Sequence, residues 1–415
     1  MITAPAAPRR VSIRIGVRSV RRWVVVLGLV LSAIGAWTQL IVFEQVAVSF
    51  AGLIWAAEVL LLAMLSVSLN RFPLRLVLGT MLMVVPVFWG SLLTFSRPVG
   101  GSAAATIFGL VSLPLATTAA AVAVGESARS ERLIRKGLTA FACGIAASTL
   151  VKVAVLGTGG RELSSRSFGL ASAVGLVWLI SQHPSPFGFA RDWRCWLGAA
   201  AVALSLSRTA TVAALTALLL VSWSGYPRNQ RSPLRVAALI VIAVLGLVSA
   251  LSTSTVVQNR VFGLEQTDGI AFSGRENLWP GVIDAIRAEP YVGAGLGRSD
   301  ILTLRLDGVH RNPHNEFLRL GYEVGIVATS CLLLGLVLLQ IDIRRRWRSV
   351  RHGGPLESIR RDVAVSLALL VVLLYFMMFD NVLLYLGTLV PIGTTWGYTY
   401  GRVRAAEHDR TAFVG

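Results

Sequence analysis

Charged residues are scarce in this chain. They make up 14% of its 415 residues, whereas hydrophobic residues make up 54% and the mean hydropathy is +0.68. A soluble protein of average composition carries about 25% charged residues. The scarcity of charge argues against a soluble protein. Repeated apolar runs of about 20 residues instead predict an all-α polytopic membrane protein.

Acidic residues are fewer than basic ones, 21 against 39, so the net charge is +18. In a soluble protein this excess would suggest a nucleic-acid partner. Here the basic residues fall mainly in short loops between apolar runs, a pattern that membrane insertion sets. Membrane lipids with anionic head groups are therefore the expected partners, and nucleic acid is not.

Cysteine is rare as well, with three residues in the chain. Cys143 and Cys331 lie inside apolar runs and Cys195 lies at the edge of one. None has the spacing of a disulfide framework or a metal motif, so we interpret all three as structural. The sequence also shows no internal repeat.

The N-terminus carries a cluster of arginines before an apolar run from Trp23 to about residue 43. It resembles a signal peptide but has no clear small-x-small cleavage site, so we interpret the run as a first helix that starts in the cytoplasm. Further spans are expected near 46–68, 76–95, 103–124, 138–156, 168–182, 236–252, 317–340, 363–379 and 382–400.

The stretch 196–223 is too long for one helix and too short for two of full length, and Arg208 lies in its middle. As one span, it would leave the basic loops 224–235 and 341–362 outside. As two short spans turning at Arg208, it places both loops in the cytoplasm, as the positive-inside rule favours. The short outside segments then hold only Arg97, Arg161, Arg166 and Arg208.

This choice predicts about 12 transmembrane helices with both chain ends in the cytoplasm. Residues 1–415 would form a single integral membrane domain with one long extracytoplasmic loop, 253–316, that contains short helices. In that loop "SGRENLWPGVIDAIRAEP" (273–290) predicts a helix ended by Pro290. Its apolar face would pack on the bundle or lie in the lipid interface. "GAGLG" (293–297) predicts a tight turn, since no strand precedes it.

The predicted topology gathers polar groups on the outside. An arginine between two short spans is costly unless it faces a cavity or a partner, although Arg208 at the outer interface could also snorkel. Arginine forks suit phosphate oxygens. Arg161 could equally be a solvated loop charge, and Arg166 less readily so. The outside groups are Arg161, Arg166, Arg208, Arg275, His310, His314, Asp380 and Asn381.

The stretch "VHRNPHNEFLRL" (309–320) holds two of the five histidines. His314 is a candidate general base, because an unperturbed imidazole pKa of about 6.5 suits proton removal near neutral pH. Asn315 and Glu316 could orient it, or His314 could simply precede a helix. A metal pair with His310 is conceivable, but no cysteine or third histidine joins them, so we predict no metal and no cofactor.

Three blocks of this sequence resemble the O-antigen ligase and polymerase superfamily of bacterial surface-polysaccharide enzymes. "LSLSRTATVAALTALLL" (204–220) is similar to the family's Ser-Arg-small motif between two hydrophobic segments. "SGRENLWPGVIDAIRAEPYVGAGLG" (273–297) resembles its Gly-Arg, Trp, Pro, Gly-x-Gly block, and "HNEFLRLGYEVGIVATSCLLLG" (314–335) its His-Asn, Glu/Asp-x-Gly block. "RSFGLASAVGL" (166–176) is similar to an earlier segment but lacks its Pro-Asn.

The resemblance implies metal-independent, inverting glycosyl transfer at an extracytoplasmic site in the inner or plasma membrane. The donor would be a glycan on undecaprenyl diphosphate, and the acceptor a hydroxyl of a glycan, lipid or other molecule. Arg208 and Arg275 match the diphosphate-binding arginines, with Arg166 as a third, and His314 matches the catalytic histidine. The supporting candidates are Arg161, His310, Asn315 and Asp380.

A transporter or flippase for a lipid-linked or anionic solute is the alternative. Transporters favour internal repeats and polar residues at the midplane. Here no repeat is found and the polar groups collect at one surface, which favours an enzyme. No paired-carboxylate motif is found either, which argues against glycosidase chemistry.

Overall fold

The computed structural model describes residues 23, 25–31, 74–95, 103–156, 162–185, 188–205, 207–227, 278–307, 313–351 and 356–414. These residues form helices and connecting turns, and no strand occurs among them. The all-α expectation is therefore confirmed for this part of the chain.

We number the helices of the described ranges, from residue 74 onward, in chain order. They are α1 Leu74–Phe95, α2 Ala103–Glu126, α3 Ala128–Leu156, α4 Glu162–Ser181, α5 Trp193–Leu204, α6 Arg208–Ser224, α7 Leu278–Ala288, α8 Ser299–Asp307, α9 Glu316–Glu323, α10 Gly325–Val350, α11 Glu357–Phe379 and α12 Leu386–Val414. Short 3-10 turns occupy Gly188–Arg191 and Val382–Leu384.

Within the described residues, five helices are long and apolar enough to cross a membrane, and they belong to α1, α2, α3, α10 and α11. Part of α4 and all of α5 and α6 are shorter apolar helices. The chain is thus a helical membrane protein, and the full set of about 12 spans stays a prediction. The expected spans 46–68 and 236–252 lie outside the described residues, as does most of 23–43.

The stretch 196–223 divides into two helices, as the arginine distribution predicted. The break falls between α5 and α6, and Arg208 is the first residue of α6. Ser207 forms the N-cap, since its side chain accepts a hydrogen bond from the backbone nitrogen of Ala210. The turn packs closely on α4, because a Cβ added at Gly169 would lie 2.6 Å from Oγ of Ser205.

The expected single span 317–340 is wrong. The structure has a short helix, α9, that ends at Glu323 with Val324 as its C-cap, and a separate long helix, α10, that starts at Gly325. Gly325 has a φ of +80°, a conformation that glycine adopts without strain. The sequence carried a signal for this break, because Arg319 and Glu323 are charges that an apolar span would not contain.

The bundle has two chemically different ends. One, which we call the histidine end, holds His314, the start of α2 and the turn at Asp380 after α11. The other, the arginine end, holds Arg402 of α12, which pairs with Glu131 of α3, and Arg346 of α10. The predicted topology assigns the arginine end to the cytoplasm.

Helices α2 and α12 run parallel between these ends and pack closely against each other. Glycines permit this approach, since a Cβ at Gly393 would lie 2.5 Å from the carbonyl oxygen of Leu113, and one at Gly397 would meet that of Thr117. Small residues let membrane helices pack backbone to backbone. The pair fixes the turn before α12 against the start of α2, which is where the candidate site lies.

Candidate active site at the histidine end

His314 has an unusual backbone conformation. Its φ is +51°, and among the described residues it is the one non-glycine residue with a positive φ. This left-handed conformation costs an L-residue roughly 1–2 kcal/mol. Surrounding contacts hold the segment in place: the indole nitrogen of Trp279 on α7 donates to the carbonyl oxygen of Pro313 at 3.1 Å.

Asn315 begins helix α9. Its Oδ1 accepts hydrogen bonds from the backbone nitrogens of Phe317 at 3.0 Å and Leu318 at 3.1 Å, so its side chain is the N-cap. Asn315 therefore acts on the conformation of the helix start. The contacts to the imidazole of His314 come from another part of the chain.

Those contacts come from the turn after α11. Nδ1 of His314 lies 3.2 Å from Nδ2 of Asn381 and 3.7 Å from Oδ1 of Asp380. The side chains of His314 and Asp380 are 16% and 2% exposed, so the imidazole reaches the surface while the carboxylate beneath it is buried. Oδ1 of Asn381 is buried without a hydrogen-bond partner. Turning this amide would bring Oδ1 to Nδ1 of His314, where the oxygen would accept a hydrogen bond from a protonated Nδ1.

A buried charge network supports this arrangement. Nε of Arg319 donates to Oε2 of Glu316 at 2.5 Å, and both side chains are fully buried. The other oxygen of Glu316 accepts from the backbone nitrogen of Leu383 at 2.8 Å, and Arg319 also donates to Oγ1 of Thr106 at 2.7 Å. Helix α9, the start of α2 and the turn after α11 are thereby joined directly beneath His314.

Glu323 is the second carboxylate of this network. Its Oε1 accepts from Oγ of Ser299 at 2.5 Å and from the backbone nitrogen of Ser299 at 3.3 Å, while Oε2 is buried without a partner. Burial raises the pKa of both Glu316 and Glu323, and Arg319 acts in the opposite direction on both. One guanidinium thus faces two buried carboxyl groups.

The glycine-rich segment "GAGLG" docks on the break between α9 and α10. Gly293, Gly295 and Gly297 have φ values of +82°, +104° and +74°, so the predicted tight turn is confirmed. The backbone nitrogen of Gly295 donates to the carbonyl oxygen of Glu323 at 2.8 Å, and a Cβ at Gly293 would lie 2.5 Å from the nitrogen of Gly325. The second and third sequence blocks are therefore in direct contact.

Helix α7, predicted from 273–290, spans Leu278–Ala288, and its apolar face packs on protein. Val282 is 1% exposed, and a Cβ added at Gly321 of α9 would lie 3.3 Å from Cδ1 of Ile286. The sequence left two positions open for this face, on the bundle or in the lipid interface. The contact with α9 places it against the bundle.

Arg208 lies toward the same end as His314. Helix α6 packs on α11, with the backbone oxygen of Ser224 accepting from Nε of Arg360 at 3.1 Å near the arginine end. The 17 residues of α6 then span about 26 Å in the other direction. Arg208, an exposed residue, therefore lies toward the end of α11 that leads to Asp380.

The other predicted arginines are placed only in part. Position 166 lies on α4, one turn before Gly169, against which the turn leading to Arg208 packs. Arg161, Arg275 and His310 lie outside the described residues. Their roles stay predictions.

One group of three side chains, among those that the structure describes, could hold a metal ion, and it does not include His314. The group is His183, Asp192 and Cys195, whose ligand atoms lie within 4.8 Å of one another. It lies after the C-terminal end of α4, at the arginine end. The expectation of metal-independent chemistry at His314 stays a prediction.

Sequence reasoning missed the roles of Thr106, Arg319 and Glu323. The signal for Arg319 and Glu323 was present in "EFLRLGYE" (316–323), where Glu316, Arg319 and Glu323 recur at helical spacing on one face. The treatment of 317–340 as one span hid this pattern.

Comparison with known protein families gives a match to part of the chain. Residues 194–333 match the family model described as O-antigen ligase. The matched range includes Arg208, the glycine-rich segment and His314, so the resemblance to the O-antigen ligase and polymerase superfamily is confirmed. A comparison with curated proteins found no match.

Proposed function

From the O-antigen ligase domain at residues 194–333, we propose that this chain is a membrane glycosyltransferase that transfers or polymerises glycan from an undecaprenyl-diphosphate-linked donor onto an acceptor hydroxyl. The family match points to membrane enzymes of glycosyl transfer. The observation that carries the proposal is the contact of His314 with Asp380 and Asn381 above a buried charge network.

His314 acts as the general base. With its proton on Nδ1, facing Asp380 and, once the amide of Asn381 is turned, its Oδ1, His314 carries on Nε2 the lone pair that accepts the proton of the acceptor hydroxyl. The resulting imidazolium is stabilised by the buried carboxylate of Asp380, 3.7 Å from Nδ1. In other base-catalysed transfers, too, the imidazole takes the proton while a neighbouring carboxylate orients the ring and stabilises the imidazolium.

The acceptor oxygen forms a bond to the anomeric carbon as its proton moves to Nε2. The bond between that carbon and the diphosphate oxygen breaks, and the electron pair leaves with undecaprenyl diphosphate. Attack opposite the leaving group in a single displacement inverts the anomeric configuration. The proton balance closes when the imidazolium returns its proton to solvent or to the departing diphosphate.

Arginines stabilise the leaving group. Arg208 begins α6 toward the histidine end, and Arg275 and Arg166 complete the proposed diphosphate clamp. Guanidinium groups donate paired hydrogen bonds to phosphate oxygens and keep their charge. Preplaced positive charge of this kind is the usual source of transition-state stabilisation, and no metal ion is required in the proposal.

The active site faces the extracytoplasmic side of the inner or plasma membrane. This orientation follows from the distribution of basic residues, which are concentrated at the arginine end, opposite His314. It brings the imidazole to the surface at which a lipid-linked glycan would present its diphosphate.

The proposal is tested with purified full-length protein, a defined undecaprenyl-diphosphate glycan and a hydroxyl acceptor. We expect release of undecaprenyl diphosphate that depends on acceptor, persists in chelator and gives product of inverted anomeric configuration by NMR. Movement of intact donor across a vesicle bilayer without cleavage would support the transporter alternative. Loss of turnover in chelator would contradict metal independence alone.

A further inference from the structure

We propose that the arginine end holds a binding site for the phosphate headgroup of an anionic membrane lipid. The site is an open cavity of about 640 Å³ between the start of α3, the end of α4 and the start of α5. Its lining includes Arg132, Arg135, Lys136, Gln182, His183 and Arg194. None of these residues belongs to the proposed glycosyl-transfer site.

Three cations form one wall of the cavity. Arg132, Arg135 and Lys136 are spaced i, i+3 and i+4 on α3, so they share one helix face, and all three are exposed. Like charges at this spacing destabilise a helix unless an anion lies between them. A bound phosphate would supply that anion, and its attraction to the three cations is a matter of charge.

Among the described residues, no carboxylate forms an ion pair with Arg132, Arg135 or Lys136. Asp362, which interacts with the charge of Arg135 at longer range, is paired with Arg402. Arg135 donates from Nε to the neutral amide oxygen of Gln182 at 2.6 Å. Asp192, beside the cavity, is bound by Arg194, with 2.6 Å between NH2 and Oδ2, and the same oxygen lies 3.1 Å from Nε2 of His183. That hydrogen bond lowers the pKa of Asp192 to about 2, so this carboxylate is ionised and its charge is offset by Arg194.

The surroundings favour a lipid over a free anion. Trp193 and Trp196 on α5 and Trp223 near the end of α6 are 68%, 60% and 61% exposed. Exposed tryptophans mark the headgroup level of a bilayer. Ala140 and Cys143 line the cavity one to two turns further along α3, so its wall changes from charged to apolar along the direction that a lipid would take.

The predicted topology also favours an anionic lipid as the ligand. The arginine end is assigned to the cytoplasm, and the cytoplasmic leaflet carries the anionic lipids that attract basic segments. A lipid seated here would join α3, α4 and α5 at the end opposite to His314.

The test uses purified full-length protein and native mass spectrometry with cardiolipin, phosphatidylglycerol or phosphatidylcholine as the probe. The variant Arg132→Gln/Arg135→Gln/Lys136→Gln should bind cardiolipin and phosphatidylglycerol about 10- to 100-fold more weakly, since each basic residue near the surface contributes to anionic lipid affinity. Phosphatidylcholine binding should not change. The matched control, Arg344→Gln/Arg345→Gln/Arg348→Gln, removes three exposed charges from α10 at the same end.

The proposal requires the control variant to bind both anionic lipids within about threefold of the parent. An equal loss of anionic lipid binding in both triple variants would show a diffuse attraction to basic surfaces and contradict a specific site. Unchanged binding in both variants would contradict the site as well. The charge-conserving variant Arg132→Lys/Arg135→Lys should keep most of the binding, which separates a charge effect from misfolding. If inorganic diphosphate binds the parent as tightly as cardiolipin does, the cavity is a site for a free anion. That result would contradict the proposal of a lipid ligand.

Discussion

The backbone nitrogen of Leu383 donates a 2.8 Å hydrogen bond to Oε1 of Glu316. Glu316 follows His314 by two residues, and Leu383 follows Asp380 by three. This one bond therefore holds together the two chain segments whose side chains meet at the imidazole. Because Glu316 is fully buried and also pairs with Arg319, the position of the candidate base depends on a charge network that solvent does not reach.

The two carboxyl groups of this network should respond differently to neutral substitution. In Glu316→Gln, the side-chain NH2 group must face either the guanidinium of Arg319 or the backbone nitrogen of Leu383, and both of these are donors. The substitution should therefore destabilise the protein by about 3 kcal/mol. Glu323→Gln keeps an oxygen for Ser299 and places its amide at the unpartnered Oε2 position, and should cost about 1 kcal/mol or less. Unfolding in mixed micelles measures both, and equal losses would contradict the assigned network.

The contact between the glycine-rich segment and the α9–α10 break gives a second prediction. Gly293→Ala forces a Cβ to within 2.5 Å of the nitrogen of Gly325 at a φ of +82°, and should destabilise the fold by about 2–3 kcal/mol. Gly144→Ala is the matched control, because nothing lies within 4 Å of its Cβ position on α3. It should be neutral or stabilise the helix by up to about 1 kcal/mol. Thermal unfolding of the two variants, compared with the parent, distinguishes these effects.

The sequence was sufficient for the class of fold and for local breaks with a clear chemical cause. Arg208 between two half-length apolar runs predicted the α5–α6 division, and "GAGLG" predicted a turn. The network beneath His314 was not predictable in the same way. Its bonds join positions 106, 316 and 383, and hydropathy along the chain carries no information on which distant segments supply partners for buried charges.

The membrane orientation can be tested by labelling introduced cysteines with an impermeant thiol reagent in intact cells whose outer barrier has been removed. Tyr291→Cys, at a position that is 71% exposed near the histidine end, should react. Ser349→Cys, an exposed position at the arginine end, should react only after the membrane is opened. The parent, with its three natural cysteines, gives the background. The reverse pattern would overturn the topology.

Arg208→Lys should lose most of the glycosyl-transfer activity although the charge is kept. Lysine is a point charge and cannot form the paired hydrogen bonds that a guanidinium makes to a diphosphate. We expect turnover to fall by about 10- to 100-fold, the equivalent of one or two charge-assisted hydrogen bonds. Arg287→Lys is the control, since Arg287 is exposed on α7 and pairs with Asp284 on the same helix. Normal turnover in well-expressed Arg208→Lys would contradict the clamp.

His314→Asn is the sharpest test of the proposed base. Asparagine tolerates the left-handed backbone conformation that His314 adopts, at a φ of +51°, so the variant should fold and stay in the membrane at normal levels. It has no group of suitable basicity, and loss of a general base typically lowers the rate by about 10²–10⁴-fold. His408→Asn, at an exposed position on α12 at the arginine end, should retain parental turnover.

Asp380→Asn separates positioning of His314 from a purely structural role. The substitution removes the buried negative charge 3.7 Å from Nδ1, so the imidazolium loses stabilisation and the neutral base persists to lower pH. The maximal rate should therefore fall while the acid limb of the pH–rate profile moves to lower pH. A merely structural loss would lower the rate at every pH and leave that limb in place. An unchanged profile in Asp380→Asn together with unchanged turnover in His314→Asn would remove both residues from the mechanism.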